Sequence, residues 1–254
     1  MFGFGAWAAG FMLHEGRPLW FALTAGVVAG GAVGVAIDRV ALWPARLRGA
    51  GPLGHNGGLV ASAAVLWLVT AVAGPTSAGV VEKVRAAVRL SAPHWSALSS
   101  PQLAAATACT IALLAGFFIL RASRLGVAMR ASASNPAAAR AVGIDVEWVY
   151  AQATFVAAAC GALAGIAFYA VAGSAAWPAA ATQVPLAALA AVVVGGIGSP
   201  LGVVIAAFGV AAVQFGAGQA WPWLQPAAVP LVLILLACAL LPNGLMRKLA
   251  LRVR

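Results

Sequence analysis

The sequence predicts an all-α membrane protein, a polytopic bundle of about seven to eight transmembrane helices. Two observations predict it. No Asp, Glu, Lys, Arg or His occurs between residues 148 and 246. Over the whole chain, 8% of residues are charged and 63% are hydrophobic, whereas a soluble globular domain has roughly a quarter charged residues. Lipid is the solvent that removes the need for a charged surface, so we expect one transmembrane domain over residues 1–254.

The predicted spans are apolar segments close to the about 20 residues that a membrane helix needs. The first is short, because a polar stretch at 14–18 interrupts it. The segments are 2–13, 18–37, 58–74, 102–120, 149–173, 185–195, 201–218 and 227–241. Polar connections separate them at 38–57, 75–101 and 121–147. The positive-inside rule places the Arg-rich connections 38–57 and 121–147 in the cytoplasm, together with the basic C-terminal tail.

Small residues recur at helical spacing inside the spans. Gly26, Gly30 and Gly34 form a double GxxxG pattern, which lets helices approach closely. A glycine-rich break follows the span 185–195 and contains Gly195, Gly196, Gly198 and Ser199. These patterns indicate packing and carry no chemistry by themselves.

Several functions are excluded by what the chain lacks. A P-loop needs Gly-Lys-Ser/Thr, but the only lysines, Lys83 and Lys248, follow Glu and Arg. Neither HExxH nor GxSxG occurs, and the three cysteines have no metal-binding spacing. The net charge of +10 is also typical of a protein that binds nucleic acid. The basic residues here, however, lie in short connections between spans and do not form one soluble basic face. We therefore expect no catalytic residue, metal, cofactor or nucleic acid.

The positions of the acidic residues bear on how transport is driven. An ion-coupled carrier normally keeps an ionisable residue inside the membrane. All five acids here lie in connections or at span ends: Glu15, Asp38, Glu82, Asp145 and Glu147. A passive or externally powered pathway fits these positions better than an ion-coupled carrier does. Its lining could include Thr107, Gln152, Thr154 and Gln214, although bonding to neighbouring helices is an equally good interpretation of each.

The connection 121–147 is the candidate for receiving external energy. Ser134 or Asn135 can cap a helix that begins at Pro136, a favoured first position. Gly143 can end that helix in the left-handed conformation. The pattern predicts a two-turn, alanine-surfaced helix at the membrane face. An ordinary positive-inside loop would carry the same arginines, so that alternative stays open.

Four stretches resemble the permeases of branched-chain amino-acid ABC transporters. LGVAMRA at 125–131 with NPAAARAVGI at 135–144 is similar to that family's cytoplasmic loop. IDRV at 37–40, VVGGIGS at 193–199 and LPNGL at 241–245 are similar to three further family segments in the same order. The spacing favours the type that pairs with a second, related permease. The family also has a helix before the region matching 1–3, so we expect a misassigned start codon or, less simply, a truncation.

The resemblance implies that the connection forms a coupling helix that docks on an ATPase subunit. The matching positions are Gly126, Met129, Arg130, Asn135, Ala138, Ala139, Gly143 and Ile144. Where the wider importer pattern has a glutamate, this chain has Ala137, which puts any ionic contact there in doubt.

The resemblance further implies a non-catalytic permease subunit of an ATP-driven importer in the bacterial cytoplasmic (inner) membrane, with a cytoplasmic C-terminus. Its partners would be ABC ATPase subunits, a second homologous permease and an extracytoplasmic solute-binding protein. Its substrates would be branched-chain or other small amino acids. The main alternative is an uncoupled channel or secondary carrier for a small neutral solute such as urea or an amide. A third is a structural membrane scaffold.

Overall fold

The structure, a computed structural model, describes residues 2–42, 100–172, 177–196, 199–221, 223, 225 and 228–240. Within these ranges every regular element is a helix. They fall into two compact units, Met1–Trp177 and Pro178–Arg254. The predicted span 58–74, the connections 43–57 and 75–99 and the C-terminal tail lie outside the described residues.

The first unit begins with two antiparallel helices, α1 (Phe2–His14) and α2 (Leu19–Ile37). Gly16 turns the chain between them with φ +75°, a left-handed conformation that glycine adopts without steric cost. The sequence predicted a polar connection from residue 38. Helical winding instead continues as a π-helix over Asp38–Leu42. The Asp38 N–H donates to the carbonyls of both Gly34 and Val35, so α2 ends without a break in its hydrogen bonds.

Four further helices complete the described part of the first unit. They are α3 (Ser100–Ala122), α4 (Arg124–Ser134), α5 (Pro136–Ala141) and α6 (Val146–Ala172). The predicted spans 102–120 and 149–173 correspond to α3 and α6. Helix α4 was not predicted, because its arginines were assigned to a polar loop.

The second unit contains α7 (Trp177–Gly195), α8 (Pro200–Ala220) and α9 (Ala228–Leu240). The predicted start of a span at residue 185 is wrong, because α7 begins at Trp177 and has Pro185 inside it. Proline is tolerated within membrane helices, where neighbouring groups satisfy the freed carbonyl.

Three described helices are long and apolar enough to cross a bilayer: Trp20–Val40, Val146–Val171 and Leu201–Ala220. The helix pair Cys109–Ala122 and Arg124–Ser134, which is bent by 70°, would be a fourth if it counts as one span. Gln183–Gly195 and Ala228–Ala237 are shorter apolar helices. Large apolar side chains such as Ile111, Phe118, Phe208 and Phe215 are exposed on the helices, which suits lipid rather than water.

Helices α1, α2 and α6 pack together through their smallest residues. Ala162 of α6 is fully buried. A Cβ added to Gly5 of α1 or to Gly30 of α2 would lie 2.4 Å from the Ala162 Cβ. One alanine side chain therefore occupies the space left free by two glycines on two other helices.

Two more α2 glycines also lie too close to a neighbouring helix for a Cβ to fit without movement. A Cβ on Gly26 would lie 2.8 Å from the Gly5 carbonyl oxygen and 2.9 Å from the Ala9 Cβ. A Cβ on Gly31 would lie 2.6 Å from the Phe155 ring of α6. Gly34 is also buried. The glycine pattern of α2 thus faces α1 in one part and α6 in another.

The glycine-rich break forms the turn between α7 and α8. A Cβ on Gly195 would lie 2.6 Å from the backbone of Gly202 and Val203, and Gly196 has φ +93°. The Ser199 Oγ accepts from the Gly202 N–H at 3.0 Å and caps α8. Gly198 lies outside the described residues.

The close contact at Ala162 generates a stability prediction. Gly30→Ala should lower the unfolding midpoint in detergent, because overpacking of this kind typically costs about 1–3 kcal/mol. Gly116→Ala is the matched control, since a Cβ there meets nothing within 4 Å and alanine favours the helix by about 1 kcal/mol. Thermal unfolding followed by tryptophan fluorescence measures both. Equal midpoints for the two variants would contradict the packing account.

Candidate functional site

The connection 121–147 is a chain of capped helices. Helix α3 ends at Ala122, and the next residue, Ser123, has extended backbone angles of φ −84° and ψ 155°. The Ser123 Oγ accepts a hydrogen bond from the Gly126 N–H at 3.0 Å, as an N-cap does. The two helix axes differ by 70° at this point. A serine followed by a run of good helix formers was the sequence signal for α4.

Helix α4 is amphipathic and packs against α3 and α6. Gly126 and Ser132 are buried, and Leu125 and Met129 are half-buried. Leu125, Met129 and Ser132 follow the i, i+4, i+7 spacing of one helix face.

Arg130 binds within its own chain. Its guanidinium Nη1 donates to the carbonyl oxygen of Leu120, in the last turn of α3. The last carbonyls of a helix have no partner inside the helix, and a cation also suits that end of the helix dipole. Arg130, which the resemblance assigns to ATPase docking, therefore ties α4 to α3 across the bend.

Asn135 ends one helix and begins the next. Its N–H donates to the Ala131 carbonyl at 3.1 Å, and its Oδ1 accepts from the N–H groups of Ala137 and Ala138, both at 3.1 Å. Pro136 then occupies the first position of α5. Of the two predicted caps, Asn135 is the one used.

The end of α5 is a Schellman motif. Gly143 has φ +85°, and its N–H donates to the Arg140 carbonyl at 3.0 Å. The Ile144 N–H donates to the Ala139 carbonyl at 3.0 Å. These are the two bonds that define the motif, with glycine in the left-handed position. The predicted helix from Pro136 to a terminating Gly143 is confirmed.

The start of α6 is held by its own cap. The Asp145 Oδ1 accepts from the N–H groups of Glu147 and Trp148, both at 3.1 Å. Across the same turn, the Arg140 Nη2 lies 3.5 Å from the Glu147 Oε1. The turn 142–145 is therefore held by hydrogen bonds at the end of α5 and at the start of α6, and by one ion pair between the two helices.

Helix α5 presents small side chains outward. It buries Ala139, which is 3% exposed, and leaves Val142 at its C-cap 77% exposed. Ala137, Ala138 and Ala141 are exposed as well. These alanines carry no charge, so they can bind a partner only through van der Waals contact and backbone groups. Arg140 is the charged side chain of α5 and is also exposed.

The four candidate pathway residues lie on three helices, α3, α6 and α8. Thr107 is exposed on α3, and Gln152 and Thr154 are half-buried on α6. Residues two apart on a helix do not face each other, and the Thr154 Oγ1 donates to the Tyr150 carbonyl at 2.9 Å. Gln214 is half-buried on α8, in the second unit. Their pathway role stays a prediction.

A family model described as "Branched-chain amino acid transport system / permease component" matches residues 1–240. The match includes three of the four resembling stretches and ends before the fourth, at 241–245. No curated protein and no solved structure matches the chain.

The double role of Asn135 generates a local prediction. Asn135→Ala removes both cap bonds, and losing an N-cap costs about 1 kcal/mol. Amide hydrogen exchange at 137–141 should then become several-fold faster, because a free-energy change of that size alters the opening equilibrium by about fivefold. Asn135→Asp keeps the acceptor and should retain slow exchange. Equal exchange in the alanine and aspartate variants would contradict the capping role.

Removing the Ser132 side-chain hydroxyl should stabilise the protein, whereas removing the Asn135 cap should destabilise α5. Ser132 is fully buried in α4, and among the described contacts its Oγ has no hydrogen-bond partner. Burying a hydroxyl without a partner costs about 1–3 kcal/mol. Ser132→Ala should therefore raise the unfolding midpoint. Ser134→Ala, which loses a bond to the Ala131 carbonyl, should not. A lower midpoint for Ser132→Ala would contradict this prediction and show that the hydroxyl has a hydrogen-bond partner.

Proposed function

This chain belongs to the family of permease components of branched-chain amino acid transport systems, and on that premise we propose that it is the permease subunit of an ATP-binding-cassette importer. Family membership and the apolar helices make it a multi-pass membrane transport protein. The proposed substrates are branched-chain or other small amino acids.

The proposal rests on one observation: α5 is a short helix that is fixed at both ends and exposed on its surface. A helix of six residues is too short to be stable alone. Here it is capped by Asn135 at one end and by the Schellman turn at Gly143 at the other. It buries one alanine and exposes the rest of its surface. We infer that this exposed alanine surface docks on an ATPase subunit.

The charge pattern supports an external energy source. The described α6, α7, α8 and α9 contain one acidic residue between them, Glu147, in the first turn of α6. It lies beside Arg140 at the end of the span rather than at its centre. Asp38 is buried, but it lies two residues from the end of the candidate span Trp20–Val40. A proton- or cation-coupled mechanism normally keeps its ionisable group well inside the membrane, so ATP hydrolysis on a partner is the better fit.

The remaining partners follow from the family and from the charges. We propose a second homologous permease, which completes the pathway, and an extracytoplasmic solute-binding protein, which delivers the ligand. We place the chain in a bacterial inner membrane. The positive-inside rule then puts the Arg-rich connection 121–147 and the basic tail on the cytoplasmic side. The described α6, α7, α8 and α9 have no acid at mid-span that could bind the substrate ammonium group. We therefore propose that contact along the pathway is weak and polar, and that the binding protein sets most of the specificity.

The docking surface is tested by placing a charge on it. Ala138→Glu adds a carboxylate to the exposed face of α5 and preserves the helix, since glutamate is favoured in a first helical turn. In complexes reconstituted with ATPase subunits and binding protein, substrate-stimulated ATP hydrolysis should fall by about tenfold or more, because an unpaired charge in an interface costs at least about 1.4 kcal/mol. Ala133→Glu, on the exposed face of α4, should leave hydrolysis near that of the wild type.

Normal stimulation in Ala138→Glu with intact assembly would contradict the docking role of α5. Uptake of leucine or urea by liposomes that contain this chain alone would contradict the importer proposal and favour an uncoupled channel or carrier.

A further inference from the structure

The turn between α5 and α6 is held by three independent contacts. The Schellman bonds of Gly143 and Ile144 end α5, and the Asp145 carboxylate caps α6. The third contact, between Arg140 and Glu147, is the only one of the three that joins side chains of the two helices directly. The first two fix the turn's backbone, and the third fixes the direction in which α5 leaves it.

The Arg140–Glu147 pair contributes little to overall stability. Its side chains are 61% and 35% exposed, and exposed ion pairs are worth between nothing and about 1 kcal/mol. Helix α5 buries only Ala139 and packs more extensively on α4 than on α6, so among the described side-chain contacts this pair is the one that joins α5 to α6. The consequence of the pair is therefore expected in the orientation of α5 rather than in the unfolding of the chain.

Helix α6 carries any movement of α5 into the membrane. Its first turns are anchored by Val146, 1% exposed, and Val149, 6% exposed. Further along, Ala162 lies in the close contact with Gly5 of α1 and Gly30 of α2. A displacement of α5 that is transmitted rigidly to α6 thus reaches α1 and α2, because well-packed helices move as bodies and do not deform continuously.

We propose that Arg140 and Glu147 form an ionic latch that makes α5 and α6 move as one body, so that both are positioning residues for energy coupling. This inference rests on the proposed function, because it concerns how force on α5 is passed on. Without the latch, α5 still docks on the ATPase, but part of its movement is lost in bending at Gly143.

The test is a charge swap in the complete importer, with ATPase subunits, second permease and binding protein in liposomes. The variants are Arg140→Glu, Glu147→Arg and the double swap. The readout is the number of ATP molecules hydrolysed per leucine imported. Each single variant should raise this ratio by about threefold, the size of a modest pairwise coupling, while the ATPase subunits still co-purify. The double swap should restore the wild-type ratio.

Arg124→Glu is the control, because it makes the same charge change at an exposed position of α4 and should leave the ratio unchanged. An unchanged ratio in both single variants would overturn the latch. So would a double swap that fails to restore the ratio and loses the ATPase subunits, since Arg140 would then contact the partner directly. Failure of the wild-type complex to assemble would instead contradict the proposed function, so the two failures are distinguishable.

Discussion

The first unit depends on the contact that Ala162 makes with Gly5 and Gly30. Helices in lipid gain nothing from the hydrophobic effect when they associate, because lipid tails are as apolar as the side chains. Association must come from close van der Waals contact, and only residues without bulk allow it. A Cβ added to either glycine would lie 2.4 Å from the Ala162 Cβ, so neither position has room for a larger side chain. The position of α6 relative to α1 and α2 follows from this constraint.

The N-terminal end of α6 is held in place by different interactions. There the backbone leaves the apolar environment, and polar caps replace small-residue packing. Ser123, Asn135 and Asp145 each accept from one or two N–H groups at the start of a helix. Arg130 satisfies a carbonyl at the end of α3. As a result, a connection with many polar groups holds a short helix in a defined place, which is what a docking element requires.

Local features of the connection 121–147 could be predicted from the sequence, but contacts between distant residues could not. The ends of α5 are predicted by Asn135, Pro136 and Gly143, because helix capping depends on neighbouring backbone groups. The GxxxG pattern of α2 indicated close packing, but its partners Gly5 and Ala162 depend on the tertiary arrangement. The Arg140–Glu147 pair needs the turn at Gly143 to bring its members together. Helix α4 was not predicted, because its arginines are typical of a polar loop. The start of α7 was placed at Pro185 rather than at Trp177, because proline is typical of a helix boundary.

We propose that energy enters this permease through the exposed surface of α5. Site-specific photocrosslinking in the assembled membrane complex measures this contact directly. A benzoylphenylalanine at position 138 should yield a covalent adduct with the ATPase subunit, and one at the exposed position 133 should yield little. Absence of an adduct from every exposed position of α5, in complexes that hydrolyse ATP in response to substrate, would contradict the claim.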